Sequence, residues 1–371
     1  MREILDEVMG WLDAGVPVGL ATVVEVRESA PRQPGAAMAV TPGGGVAGSV
    51  SGGCVEGAVF EVAQRVLAGE AARLEHYGIS DEQAFSVGLT CGGEIDVFVE
   101  PIDRVRVPFV DTLADRIRGE QPAAVATVLD GPRAGAKALV TPEEVHGSTG
   151  SEGLDVAVVD DARGLLAQGI TAIRHYGPDG ERRIDDVAVF VQSFAPRPRM
   201  LVFGAIDFAA AMARAGSFLG YRVTVCDARE VFATAQRFPD ADEVVVEWPH
   251  RYLERTAVDA RTVICVLTHD PKFDVPLLEA ALRTDAAYVG AMGSRRTHDE
   301  RVERLRELGL PEAQLERVAS PIGLDLGART PEETAVSIAA EIIQRRWEGS
   351  GRPLADTAGR IHEPSRAAVE P

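Results

Sequence analysis

From residue 200 onward, short apolar runs alternate with helical stretches, and that alternation leaves few folds open. Met200-Leu201-Val202-Phe203, Tyr221 to Cys226, Val244 to Val246, Thr262 to Leu267 and Ala287 to Gly290 read as buried strands. Helices are predicted at Phe208–Leu219, at 275–283 and at 297–307. Strands that alternate with helices build a parallel sheet covered on both faces. Residues 200–348 are therefore expected to form a Rossmann-like, doubly wound domain. Its last helix, 331–347, has Pro331 at the first turn beside Glu332 and Glu333, as helix starts favour. The first 192 residues read differently, as strands, hairpin turns and a few helices, and a separate α/β domain with a mixed sheet is expected there. The strand Glu94 to Glu100 is read as stopped by Pro101. The stretch 193–199, Ser-Phe-Ala-Pro-Arg-Pro-Arg, reads as an extended linker. Residues 349–371 read as a disordered tail. No tandem repeat is evident.

Composition narrows the function. The chain of 371 residues carries a formal charge of −19, which argues against a nucleic-acid or anionic-membrane surface. No run of about 18 uncharged apolar residues is present, so no membrane span is expected. The first residues lack the apolar core of a signal peptide, and four cysteines in this length are no disulfide framework. A reducing, cytoplasmic setting is expected.

Chemistry-bearing residues gather in a few loops. Gly48-Ser49-Val50-Ser51-Gly52-Gly53-Cys54-Val55-Glu56 lies between a strand, Ala36 to Thr41, and a helix, Val55 to Leu67. A glycine-rich turn entering a helix offers N–H groups to an anion. A thiol there is a soft ligand or a nucleophile. The alternative reading is a tight turn with a buried small cysteine. A second loop, Gly88-Leu89-Thr90-Cys91-Gly92-Gly93, holds another thiol. The remaining two, Cys226 and Cys265, lie inside apolar strands and read as core. Arg27 and Arg32 flank a proline loop and could meet an anion. In the second domain, Gly204 opens a turn and Asp227 lies about 20 residues on, where a dinucleotide-binding unit places its ribose ligand. Ile206 and Ala209 stand where further glycines belong, so NAD(P) binding, and an NAD(P)-dependent oxidoreductase, is the alternative reading. His269 and Asp270 follow one strand; Gly293, Ser294, Arg295 and Arg296 follow the next and could clamp a phosphate.

Several blocks, in order, resemble the xanthine dehydrogenase accessory family (XdhC/CoxI). They are Ser29 to Ala36, Gly48 to Glu56, Cys91-Gly92-Gly93, Leu267 to Pro271, Tyr288 to Arg296, Ser320 to Asp325 and Thr330 to Glu341. The resemblance implies a molybdenum-cofactor chaperone rather than a catalyst. It would bind molybdopterin, support its sulfuration and deliver it to a xanthine dehydrogenase-like molybdenum hydroxylase. A sulfurtransferase would be a further partner, and a homodimer is expected. Carried over by motif, Cys54 and Cys91 are the thiols that would handle molybdenum or sulfur, Cys54 as the metal contact. Arg32, Gly52, Gly53, Glu56 and Gly92 would line the cofactor beside them. The chain departs from relatives at Ile206-Asp207-Phe208.

Overall fold

The computed structural model describes residues 1–27, 32–78 and 93–358. The chain divides into two compact units, Met1–Pro196 and Arg197–Thr357.

The first unit begins with α1 (Leu5–Asp13), β1 (Val18–Arg27), β2 (Ala37–Val40), β3 (Val46–Gly48), α2 (Glu56–Leu67), β4 (Arg73–Tyr77) and β5 (Glu94–Ile102). It continues with α3 (Val110–Arg118), β6 (Ala123–Val128), β7 (Lys137–Val140), β8 (Val145–Ser148), α4 (Glu152–Gln168), β9 (Ala172–Tyr176) and β10 (Val187–Phe194). Two five-stranded sheets result, ordered β3-β2-β1-β5-β4 and β8-β7-β6-β10-β9. Every pairing in both is antiparallel, so the expected α/β domain rests on antiparallel sheets rather than a mixed one. Alternate side chains of β1 and β5 divide between two cores. Ala21, Val23, Ile95, Val97 and Val99 pack with Val59 and Val62 of α2. Val24 and Phe98, from the opposite face, meet Leu129, just past β6, and Phe190 of β10.

The two sheets have the same strand order and the same helix placement. Matching positions carry matching residues: Ala21-Thr22-Val23 and Ala126-Thr127-Val128, Val40-Thr41-Pro42 and Val140-Thr141-Pro142, Gly48-Ser49 and Gly147-Ser148, His76-Tyr77-Gly78 and His175-Tyr176-Gly177. The hydrogen bonds match too. Gln64 Nε2 donates to the Thr41 carbonyl at 2.8 Å, and Arg163 Nε to the Thr141 carbonyl at 3.3 Å. The unit is thus a tandem repeat, which corrects the expectation of none. The shared residues are those that turns and pairings require, and they are scattered among positions that have changed. Between the repeats lies a cavity of about 50 Å³, lined by Thr22, Thr127, Phe98, Phe190, Glu100 and Gln192 among others. Lys137 of the second repeat pairs there with Glu100 of the first at 2.6 Å.

Pro101 does not end β5, which runs on to Ile102. Pairing with β4 stops at Val99, so Pro101 pairs only with Gly19 of β1 and its missing N–H falls on an open edge.

The second unit contains β11 (Arg199–Phe203), α5 (Asp207–Phe218), β12 (Arg222–Asp227), β13 (Glu243–Val246), α6 (Pro249–Arg255), β14 (Val263–Val266), α7 (Pro271–Leu282), β15 (Tyr288–Ala291), α8 (Arg295–Glu307), α9 (Glu312–Leu315), β16 (Val318–Ala319) and α10 (Pro331–Trp347). Its six strands are ordered β13-β12-β11-β14-β15-β16 and pair in parallel. This is the Rossmann order, with its switch point between β11 and β14. Helix α10 starts with a capping box between Thr330 and Glu333. Ser193 and Phe194 belong to β10 and Arg199 to β11, so the segment between the two sheets is shorter than the sequence implies.

Candidate functional site

The loop Gly48–Glu56 leaves the edge strand β3 and enters α2. Gly48 has φ +78°, and a Cβ there would lie 2.2 Å from the Ala37 carbonyl oxygen. Only glycine fits such a position. Beyond it the chain wraps around the carboxylate of Glu56. Oε1 accepts from Ser49 Oγ at 2.6 Å, Ser51 N at 2.9 Å and Val50 N at 3.2 Å. Oε2 accepts from Ser51 Oγ at 2.6 Å and Gly53 N at 2.8 Å. Ser51 Oγ in turn accepts from the N–H groups of Cys54 and Val55, both at 3.0 Å. Partial burial by itself would raise the Glu56 pKa. The serine hydroxyls and backbone N–H donors outweigh it and bring the group from 4.5 down to about 2.

The anion cradle expected here therefore holds the protein's own carboxylate. The Gly53 N–H is taken by Glu56, and the Gly52 N–H is 2.9 Å from Ser49 Oγ. Glu56 organises the loop and is not presented to a ligand. Cys54 stands just before the N-cap of α2, half-buried against the core beneath that helix. The loop thus offers a thiol on a rigid turn, in place of a phosphate pocket.

Arg32 pairs with Glu3 at 3.2 Å, at the surface. Cys91 and Gly92 lie outside the described residues, and so does any meeting of their loop with Cys54. Arg27 pairs with Asp96 at 3.1 Å, and Asp96 also holds His76 Nδ1 at 2.6 Å. Among the described residues no group of His, Cys, Asp and Glu is arranged to hold a metal ion by itself.

In the second unit the nominated residues lie at or just beyond the carboxyl ends of the strands. Gly204 has φ +111° and packs on Thr268, whose N would be 3.0 Å from any Cβ. Asp227 is 2% exposed. Its Oδ2 accepts from Ala205 N at 2.7 Å and Arg229 Nη2 at 2.7 Å; its Oδ1 accepts from Arg229 N and Nε, both at 2.9 Å. With both oxygens engaged, the carboxylate ties down the glycine turn and has little left for a ribose hydroxyl. The turn itself carries the Ile206 side chain where a pyrophosphate would need close backbone approach.

Asp270 caps α7, accepting from Lys272 N at 3.1 Å, and His269 beside it is exposed. Ser294 caps α8, with Thr297 N at 3.1 Å from its Oγ. Arg295 and Arg296 follow in the first turn and point to solvent. Gly293 joins this cap to β15. Cys226 and Cys265 are core, as expected, and burial pushes each thiol up to about 12.

Two networks that anchor the family-like blocks escape sequence reading. Arg301 and Asp274, 4% and 1% exposed, form a buried ion pair. Asp274 also accepts from Thr268 Oγ1, and Arg301 Nη1 donates to the Met292 carbonyl at 2.6 Å. This clamps together the loops after β14 and β15. Glu341 of α10 accepts from Tyr288 Oη at 2.6 Å and Gly323 N at 2.7 Å, fixing the loop after β16. Their helical positions look like ordinary charged surface, and only the packing reveals their partners.

Comparison with known proteins agrees with this division. Residues 200–342 match the family model described as the XdhC Rossmann domain. Residues 11–78 and 117–177 match that of the XdhC and CoxI family, one segment in each repeat. A Bacillus subtilis protein described as a probable xanthine dehydrogenase subunit is 29% identical over 88% of this chain and 92% of its own. The molybdenum cofactor insertion chaperone PaoD from Escherichia coli is 26% identical over 93% of this chain and 88% of its own. A crystal structure described as a xanthine dehydrogenase from Bacillus halodurans, 25% identical, covers 96% of this chain and 97% of its own with a TM-score of 0.69.

Proposed function

The chain belongs to the XdhC and CoxI family, and from that footing we propose that it is an accessory protein that holds molybdenum cofactor, supports its sulfuration and delivers it to a xanthine dehydrogenase-type hydroxylase. The observation that carries this reading is the Cys54 thiol, set on a turn locked by Glu56 in the unit that the family model matches. The bound cofactor would supply a soft molybdenum centre and a pterin phosphate. Cys54 is the donor of matching softness, and it can also carry sulfur as a thiolate nucleophile. Because the loop N–H groups are committed to Glu56, the Cys54 turn would meet the metal or its sulfur rather than the phosphate. The partners in this reading are the client hydroxylase and a sulfurtransferase. The relative PaoD is itself named a molybdenum cofactor insertion chaperone, and the hydroxylase chemistry would belong to the client.

The test is retention and delivery. The protein is purified from cells that make the cofactor, and molybdenum and pterin are measured per chain alongside activation of an apo-hydroxylase. Cys54→Ala is expected to cut retention on the order of tenfold or more, with an unchanged circular dichroism spectrum. Full retention and full client activation by a Cys54→Ala, Cys91→Ala double variant would remove the thiols from the function.

A further inference from the structure

The two repeats of the first unit allow the thiol loop to be compared with its own twin. In the second repeat, β8 leads through Gly147-Ser148-Thr149-Gly150-Ser151 into α4. Gly147 has φ +89°, and a Cβ there would lie 2.4 Å from the Lys137 carbonyl oxygen, matching Gly48 over Ala37. Asp155 takes the part of Glu56. Its oxygens accept from Ser148 Oγ at 2.7 Å, Thr149 N at 2.6 Å and Thr149 Oγ1 at 2.5 Å. Both loops are therefore serine-rich turns closed on an acid of the following helix.

They differ at one place. The residue matching Cys54 is Gly153. A side chain at 153 would meet the Asp179 carbonyl oxygen at 2.2 Å, because the turn after β9 lies against α4 there. Ser151 Oγ also donates to the Pro178 carbonyl at 3.1 Å. The second loop is sealed by its own backbone.

We infer that the first unit is a duplicated module whose acid-closed turn carries a thiol in one copy and is sealed in the other, and that Glu56 is the positioning residue that holds Cys54. The acid-closed turn is separable from the thiol it carries, since the sealed copy keeps the turn without one. Asp155 is a built-in control: it closes the same turn and can affect Cys54 only through general stability.

The inference rests on the reading of Cys54 as the functional thiol, but its test does not need the cofactor. Alkylation of Cys54 by iodoacetamide is followed by peptide mass spectrometry, which separates it from the other cysteines, in full-length Glu56→Gln and Asp155→Asn. The amide at 56 faces the Gly53 N–H and the serine hydroxyls with one acceptor too few, so the turn loosens. Cys54 should react several-fold faster, with Glu56→Asp restoring much of the original rate. Asp155→Asn should lower the melting temperature by a similar amount and leave the Cys54 rate unchanged. If Glu56→Gln fails to fold, Ser49→Ala and Ser148→Ala make the same comparison more gently. Equal effects of the two members of either pair on Cys54, or no effect from either, would overturn the positioning role. A normal rate shift combined with full cofactor retention in Cys54→Ala would instead count against the proposed function alone.

Discussion

Glu56 ties together more of this molecule than its position at a helix start would suggest. Its pKa is near 2 in the folded chain against 4.5 unperturbed. A carboxyl depressed in this way adds stability above its unfolded pKa and loses it as pH falls through the folded value. Wild type should thus lose stability between about pH 4.5 and 2, and Glu56→Gln should flatten that part of a denaturant-midpoint profile. Gly48 makes a sharper prediction. Gly48→Ala forces a Cβ into a carbonyl at 2.2 Å and a side chain into φ +78°. A cost of at least ~1–3 kcal/mol is expected from the backbone conformation alone, read as a fall in urea midpoint; an unchanged midpoint would mean the loop can shift. The glycines and the thiol of this loop were legible in the sequence. Which anion fills the loop was not, because a carboxylate following a glycine turn looks the same whether it faces inward or outward.

Among the elements, those that follow simple periodicity were readable. The short apolar strands of the Rossmann unit and the capped helix α10 fall where hydrophobicity and caps place them. Helix α4 escaped because its apolar residues spread around it, with Val156 exposed and Leu154 and Val158 buried. β8 escaped because all four of its residues are exposed and nothing alternates. The Arg301–Asp274 pair was invisible for a different reason: long-range partners leave no mark on local pattern. Arg301→Met would strand a buried carboxylate, costing about 3–5 kcal/mol. Adding Asp274→Leu should recover a good part of it, and a double variant no better than the single would show that Arg301 acts by packing. Asp227, held by Arg229 on both oxygens, predicts that calorimetry with NAD(H) or NADP(H) at millimolar concentration gives no heat of binding. A clear isotherm would restore the oxidoreductase reading.

At the scale of the whole chain, two architectures serve one molecule: a duplicated antiparallel unit and a parallel Rossmann unit. No helix among the described residues is long and apolar enough to cross a membrane. The duplication is held internally by the Glu100–Lys137 pair and by Gln192 Nε2, which donates to the Gly35 carbonyl at 3.0 Å. Burial raises the Glu100 pKa and Lys137 opposes it. Lys137→Met should therefore destabilise by about 3–5 kcal/mol at neutral pH. The deficit should shrink as pH falls and Glu100 takes up its proton; a pH-independent deficit would assign the loss to packing. Joined in one polypeptide, the two repeats meet by an intramolecular step. Between separate subunits such a contact would open on dilution, following mass action. Here its closure is independent of protein concentration, so the thiol loop stays on a completed scaffold at any dilution.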